Sequence, residues 1–171
     1  VGEVLRWQGR LDGLIDSVMQ HPLADDAKVR MVLRMALAQK LRLGTPMHAI
    51  IATSLPLLDG GPKRLAHGVL STLDKSGAVL PDTPALPDEA LNRWWDAWGE
   101  AKVEAARMAL AEPPPLDLTF ADDATAQAWA AANEGVSFAP CHVRIARGRA
   151  VEHLPGFVEG AFWVQDLAAS L

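Results

Sequence analysis

Tyrosine is absent from these 171 residues, and cysteine occurs once, at position 141. A single cysteine excludes an intramolecular disulfide and any zinc site built on four thiolates, and it suits a reducing compartment. No apolar run approaches the roughly 18–20 residues needed to cross a bilayer, and the N-terminus lacks the basic, apolar and small-residue regions of a secretory signal. Cytoplasmic residence without a membrane partner is the resulting expectation. Excess positive charge is missing too, since 16 Lys and Arg face 21 Asp and Glu for a formal net charge of −5. That balance counts against a protein that coats nucleic acid over its whole surface, so any RNA contact has to come from local basic patches. Glycine-rich loops after a strand, Walker sequences and triad orders are also lacking, which leaves no catalytic and no cofactor-binding residue to nominate.

Half of the residues are hydrophobic, enough for a sizeable core. Over residues 1–77 they recur at helical spacing. Val4, Leu5, Leu11, Leu14, Ile15, Val18 and Met19 mark a first helix. Asp25 or Asp26 is expected to cap a second, whose face takes Val29, Val32, Leu33, Ala36, Leu37 and Leu41 before Gly44 ends it. Thr45-Pro46 predicts a helix start, with Pro46 as its first residue and Pro56 kinking or shortening it. Gly60-Gly61-Pro62 is expected to be a turn before a fourth helix with Leu65, Val69, Leu70 and Leu73 on one face. Amphipathic helices joined by short loops make a bundle. Residues 78–112 form a proline-rich linker and two helices, and Pro113-Pro114-Pro115 then ends helical structure.

Residues 113–171 change period. Leu116, Leu118 and Phe120 alternate with Asp117 and Thr119, as in a strand with one buried face. Asp122-Asp123 caps a helix ended by Asn133-Glu134-Gly135. Short strands are expected at 136–138, 142–145 and 150–153, with a further extended piece at 161–164. The fold class is therefore mainly α, a helical bundle followed by a small, incomplete α+β unit.

Basic residues supply the binding candidates. Arg6 and Arg10 lie one turn apart and can face a phosphate track, or else pair with Glu3 and Asp12. Lys63 and Arg64 begin a helix, where cations oppose the dipole, and so suggest an external anion. Arg144, Arg147 and Arg149 are the densest cluster, expected in a strand–turn–strand hairpin with Gly148 at the turn. Such arginines either contact an RNA backbone or protect a sheet edge. Trp94, Trp98 and Trp129 share helix faces with apolar residues, which points to core packing before base stacking. Cys141-His142 has no partner at ligand spacing, so no metal site is expected.

The segment Gly156-Phe157-x-x-Gly160-x-Phe162-x-Val164-Gln165-Asp166-x-Ala168-Ala169 resembles the entry to the catalytic domain of the RsmB/Fmu/Sun family of ribosomal RNA (cytosine-5) methyltransferases. Upstream, Leu5-Arg6 with Leu11-Asp12, Leu33-Arg34 with Gln39, and Pro46-x-His48-Ala49 are similar to that family's N-terminal motifs. His67-Gly68-Val69-Leu70-Ser71 departs from it by lacking the expected asparagine and arginine, and Thr119-Phe120-Ala121 replaces a frequent Arg-Val-Asn. The resemblance implies a NusB-like RNA-binding domain over 1–77 and the N-terminal part of the methyltransferase region over 113–171. It also implies, for the full-length protein, S-adenosylmethionine as methyl donor, small-subunit rRNA as partner, and catalytic cysteines and a cofactor loop beyond Leu171. The chain begins without methionine or helix cap and ends within a helical pattern, so an inactive internal fragment is expected. The alternative is a non-enzymatic NusB-like transcription antitermination or protein-binding module.

Overall fold

The computed structural model describes residues 1–146 and 148–169, which fall into two compact units, Val1–Glu112 and Pro113 onward. In the first unit, α1 (Gly2–Ser17), α2 (Lys28–Leu43), α3 (Met47–Ser54) and α4 (Gly60–Lys75) form the helical bundle that the periodicity predicts. Helix α2 is central and packs against the other three. Trp7, Leu11 and Ile15 of α1, Leu33, Ala36 and Leu37 of α2, Ile50 of α3, and Ala66 and Leu70 of α4 are almost wholly removed from water. Burial of such side chains contributes roughly 1.5–3 kcal/mol each, so this layer dominates the unit's stability.

Local details differ from the sequence expectations at the helix ends. Neither Asp25 nor Asp26 caps α2; its flanking residue is Ala27, whose N–H donates to the Ala24 carbonyl in a preceding turn. Helix α3 starts one residue later than expected, with Pro46 outside it and its carbonyl accepting from Ala49 and Ile50. Pro56 does shorten α3, which tightens after Ser54 into a 3-10 turn at Leu55–Leu57. Gly60-Gly61-Pro62 is not a separate turn but the first turn of α4, where the missing proline N–H has no intrahelical role to lose.

After α4, residues 78–87 have no regular structure but are fastened to their unit. The Thr83 carbonyl accepts from Arg10 Nε at 3.3 Å and the Pro84 carbonyl from Arg107 Nε at 3.3 Å. Helices α5 (Asp88–Trp98) and α6 (Glu100–Ala111) pack on each other. The expectation of core packing fails for two tryptophans here. Trp98 is 62% exposed, Trp94 is half-buried against it at 5.7 Å between rings, and α5 has no buried residue. Amphipathic spacing specifies an apolar face, but a second element must still arrive to cover it.

The second unit is a three-stranded antiparallel sheet in the order β2-β1-β3, with β1 at Leu116–Phe120, β2 at His142–Ile145 and β3 at Phe162–Val164. Helix α7 (Asp123–Asn133) packs on β1 and β2. Leu118, Phe120, Trp129, Val143, Ile145 and Phe162 form its core, and the Trp129 indole donates to the Pro155 carbonyl at 2.8 Å. Asp122 caps α7 as expected, accepting from the Thr125 N–H at 2.8 Å. The stretch 136–138 yields one bridge, Val136 to Arg144, and 150–153 contains a 3-10 turn at Val151–His153 where a strand was expected. The third strand comes instead from the extended piece at 161–164, which pairs with the other side of β1. Asp117, expected on the wet face, is 5% exposed because groups from β2 and from the segment after β3 close over it.

Candidate nucleic-acid interface

The first unit distributes its cations between internal bonds and open surface. Arg6 hydrogen-bonds to Glu3, which also accepts from Arg42 Nε at 2.9 Å, and the Arg42 guanidinium lies 4.7 Å from the centre of the Trp7 ring. Burial alone would raise the Glu3 pKa; the bonds to Arg42 and Arg6 outweigh it and hold the carboxyl below its ordinary value. Arg10 donates to the Thr83 carbonyl, so both α1 candidates make bonds within the fold.

Two arginines that the sequence reading passed over as functional groups form the bundle's polar centre. Arg30 and Arg34, 2% and 3% exposed, converge on Asp12. Arg34 grips it with two bonds of 2.7 Å, and Arg30 reaches it at 3.1 Å while bonding Asp16 at 2.8 Å and the Leu23 carbonyl at 2.7 Å. Burial pushes the Asp12 carboxyl up, but the two guanidinium groups more than reverse this and keep it ionised. The available signal was the position of Arg30 and Arg34 beside Val29 and Leu33, within an apolar helix face. This network is a structural lock between α1 and α2.

Lys63 and Arg64, like Lys28, Lys75, Arg93 and Lys102, are not taken up by internal bonds among the described residues. Both are exposed on the first turns of α4, and neither side chain has a hydrogen bond or ion pair among the described residues. With Leu55 and His67 they line an open cleft of about 300 Å³. His67 was not nominated from sequence, although its spacing from Lys63 and Arg64 on one helix is a signal for a shared face.

In the second unit, Arg144 binds the Asp117 carboxylate through Nε at 2.6 Å and Nη2 at 2.8 Å. Asp117 also accepts from the Leu167 N–H at 3.1 Å, and His142 Nε2 lies 3.4 Å away. The Arg144 bond, joined by the Leu167 N–H and opposed by burial, lowers the Asp117 pKa to about 2, and the same bond raises that of Arg144. Arg149 donates to the Asn133 carbonyl at 3.4 Å, whereas Arg147 lies outside the described residues. The expected strand–turn–strand hairpin lacks its second strand, because after β2 ends at Ile145 the stretch Val151–His153 forms a 3-10 turn.

The Val164-Gln165-Asp166 segment has its own local order. The Trp163 indole donates to Gln165 Oε1 at 2.7 Å, and the Asp166 carboxylate accepts from the Ala168 N–H at 2.8 Å, as a residue preceding a helical turn does. Cys141 takes a left-handed backbone angle of φ 60° with its N–H on Asp123 Oδ1 at 2.9 Å, and His142 is buried. Among the described residues there is no group of three or more His, Cys, Asp or Glu suited to a metal ion, and no helix long and apolar enough to cross a membrane.

Residues 1–60 match the model of the NusB family. The chain is 29% identical, over 97% of its length, to the ribosomal RNA small subunit methyltransferase B of Pseudomonas putida, of which it covers 43%. It is likewise 29% identical to the protein of that name from Pseudomonas syringae, covering 42% of it. A probable ribosomal RNA small subunit methyltransferase B from Synechocystis is 26% identical, with 43% covered. The chain thus spans less than half the length of these relatives and corresponds to their N-terminal part. The resemblance seen in the sequence motifs holds over nearly the whole chain.

Proposed function

We propose that this chain is the RNA-binding, substrate-orienting part of an S-adenosylmethionine-dependent 16S rRNA cytosine-5 methyltransferase acting in the cytoplasm. The observation that carries this reading is the similarity, over 97% of the chain, to small-subunit rRNA methyltransferases more than twice its length. In this reading residues 1–77 bind RNA, 78–112 connect, and 113–171 flank the catalytic domain.

The residues present do not fit a S-adenosylmethionine site. Such sites place a glycine-rich turn between a strand and a helix so that backbone can approach the cofactor. Here β1 passes to α7 through Ala121 and Asp122, and no glycine occurs between Leu116 and Gly135. No chemical step is therefore assigned to these residues. Their contribution is positional: holding remote parts of a large substrate converts an encounter into an oriented complex, which lowers the entropic part of the barrier elsewhere. RNA contact falls first on Lys63 and Arg64, adjacent unpaired cations that line one cleft. Arg6, Arg10, Arg144 and Arg149 are bonded within the fold and contribute less.

Filter binding of a small-subunit rRNA fragment at several salt concentrations, alongside calorimetric titration with S-adenosylmethionine, tests the proposal. The expected result is salt-dependent RNA binding and no stoichiometric cofactor site. A micromolar cofactor site on this chain, or indifference to rRNA, would overturn it.

A further inference from the structure

We propose that Lys63, Arg64 and His67, with Leu55 as floor, form a cleft that receives one unpaired RNA nucleotide. This rests on the rRNA-binding reading above and names the form of RNA that the first unit takes.

Three observations converge on this place. The first is an imbalance of charge use. In a chain of net charge −5, Arg6, Arg30, Arg34, Arg42, Arg107, Arg144 and Lys40 are all paired with carboxylates. Among the described residues Lys63 and Arg64, like Lys28, Lys75, Arg93 and Lys102, have no such partner, and they are the two of this set that are adjacent, like charges side by side on α4. The fold bears that cost without an internal anion to offset it. A phosphate supplied from outside relieves it.

The second is alignment. His67 follows Lys63 by four residues and Arg64 by three, so the three side chains share one helix face. All three are exposed, and a Cβ added at neighbouring Gly68 would meet nothing within 4 Å among the described residues.

The third is the shape and lining of the cleft. It is a shallow, open hollow of about 300 Å³, floored by buried Leu55 from the 3-10 turn. An apolar floor offers nothing to a phosphate but covers the face of a base. Imidazole and guanidinium planes at the rim can stack on that base, which is how unpaired RNA is held, while Lys63 takes the adjoining phosphate. A duplex would keep its bases out of reach and present a long phosphate track to a surface with one short cationic patch and an adverse net charge.

The test uses the whole chain and two fluorescently labelled RNAs: a small-subunit rRNA hairpin with an unpaired loop, and a fully paired duplex of equal length. Anisotropy titrations at several salt concentrations are expected to show tighter binding of the hairpin. Lys63→Gln with Arg64→Gln should weaken hairpin binding, and loss of the Lys63 phosphate contact should reduce its salt slope by about 0.7. His67→Ala should weaken hairpin binding about tenfold, leaving the slope and the residual duplex binding unchanged. Hairpin binding by the unsubstituted chain that survives all three substitutions would remove the cleft and leave the rRNA reading standing. Preference for duplex would overturn the unpaired nucleotide. Failure of the unsubstituted chain to bind either RNA would overturn the rRNA reading and the cleft with it.

Discussion

The two units use their arginines differently. In the helical unit, Arg30 and Arg34 turn inward to Asp12 and Asp16, and a separate pair, Lys63 and Arg64, is left open to solvent. In the sheet unit, the two described arginines of the densest basic run are bonded within the fold: Arg144 lies directly across the ladder from Asp117 and is bound to it, and Arg149 reaches a backbone carbonyl. Cation density along a chain is therefore a poor measure of available charge. A carboxylate four residues away announces itself in sequence, whereas one brought across by strand register or by a second helix does not.

The largest effect is expected at the helical lock. Asp12→Ala strands the buried Arg34 guanidinium and leaves Arg30 only Asp16 as a carboxylate partner, and should cost about 3 kcal/mol in urea unfolding, since breaking a buried pair leaves uncompensated charge. A loss below about 1 kcal/mol would show that water replaces the carboxylate, and the contrast between interior and surface cations would collapse. Next comes Gly135→Ala in the sheet unit. Its Cβ would meet Val143 Cγ1 at 2.4 Å and the Ala130 Cα at 3.3 Å, so the variant should lose about 3 kcal/mol, the upper end of overpacking. By contrast Gly68→Ala, inside α4 with open space around it, should gain about 0.5–1 kcal/mol. Thermal unfolding of both variants reads the difference directly.

Acid sharpens the comparison further. The Asp117 pKa is lowered from 3.8 to about 2, so its contribution is fully present above about pH 4 and disappears as pH falls towards 2. That contribution is about 2–3 kcal/mol at roughly 1.4 kcal/mol per unit. Stability measured between pH 5 and pH 2 should drop more steeply for the native chain than for Asp117→Asn; parallel curves would mean that Asp117 does not govern acid unfolding of its unit. The smallest effect belongs to Trp98→Ser, which removes a side chain 62% exposed and should change stability by less than about 0.5 kcal/mol. A larger loss would return Trp98 to the core.

Legibility followed the range of the forces involved. The apolar faces of α1, α2 and α4, the end of α2 at Gly44, and the Asp122 cap were all visible, because each depends on residues within one or two turns. The extended piece at 161–164 was legible and forms β3, whereas the strand expected at 150–153 is a 3-10 turn, since only pairing with β1 selects between two short stretches. His67 was missed because a lone histidine on a polar face says nothing until its neighbours are seen to be unpaired.

The sequence by itself determined a helical bundle followed by a small α+β unit, the helical periods, and the resemblance to the small-subunit rRNA methyltransferases. Only the tertiary structure decided which charges are bound and which are free, which tryptophans are covered, and that Asp117 is buried. Periodicity is a property of the local backbone, so the chain carries it wherever it goes. Burial and pairing depend on groups that folding brings from 18 to 50 residues away, as Arg30 to Asp12 and Leu167 to Asp117 show, and no local pattern records their arrival.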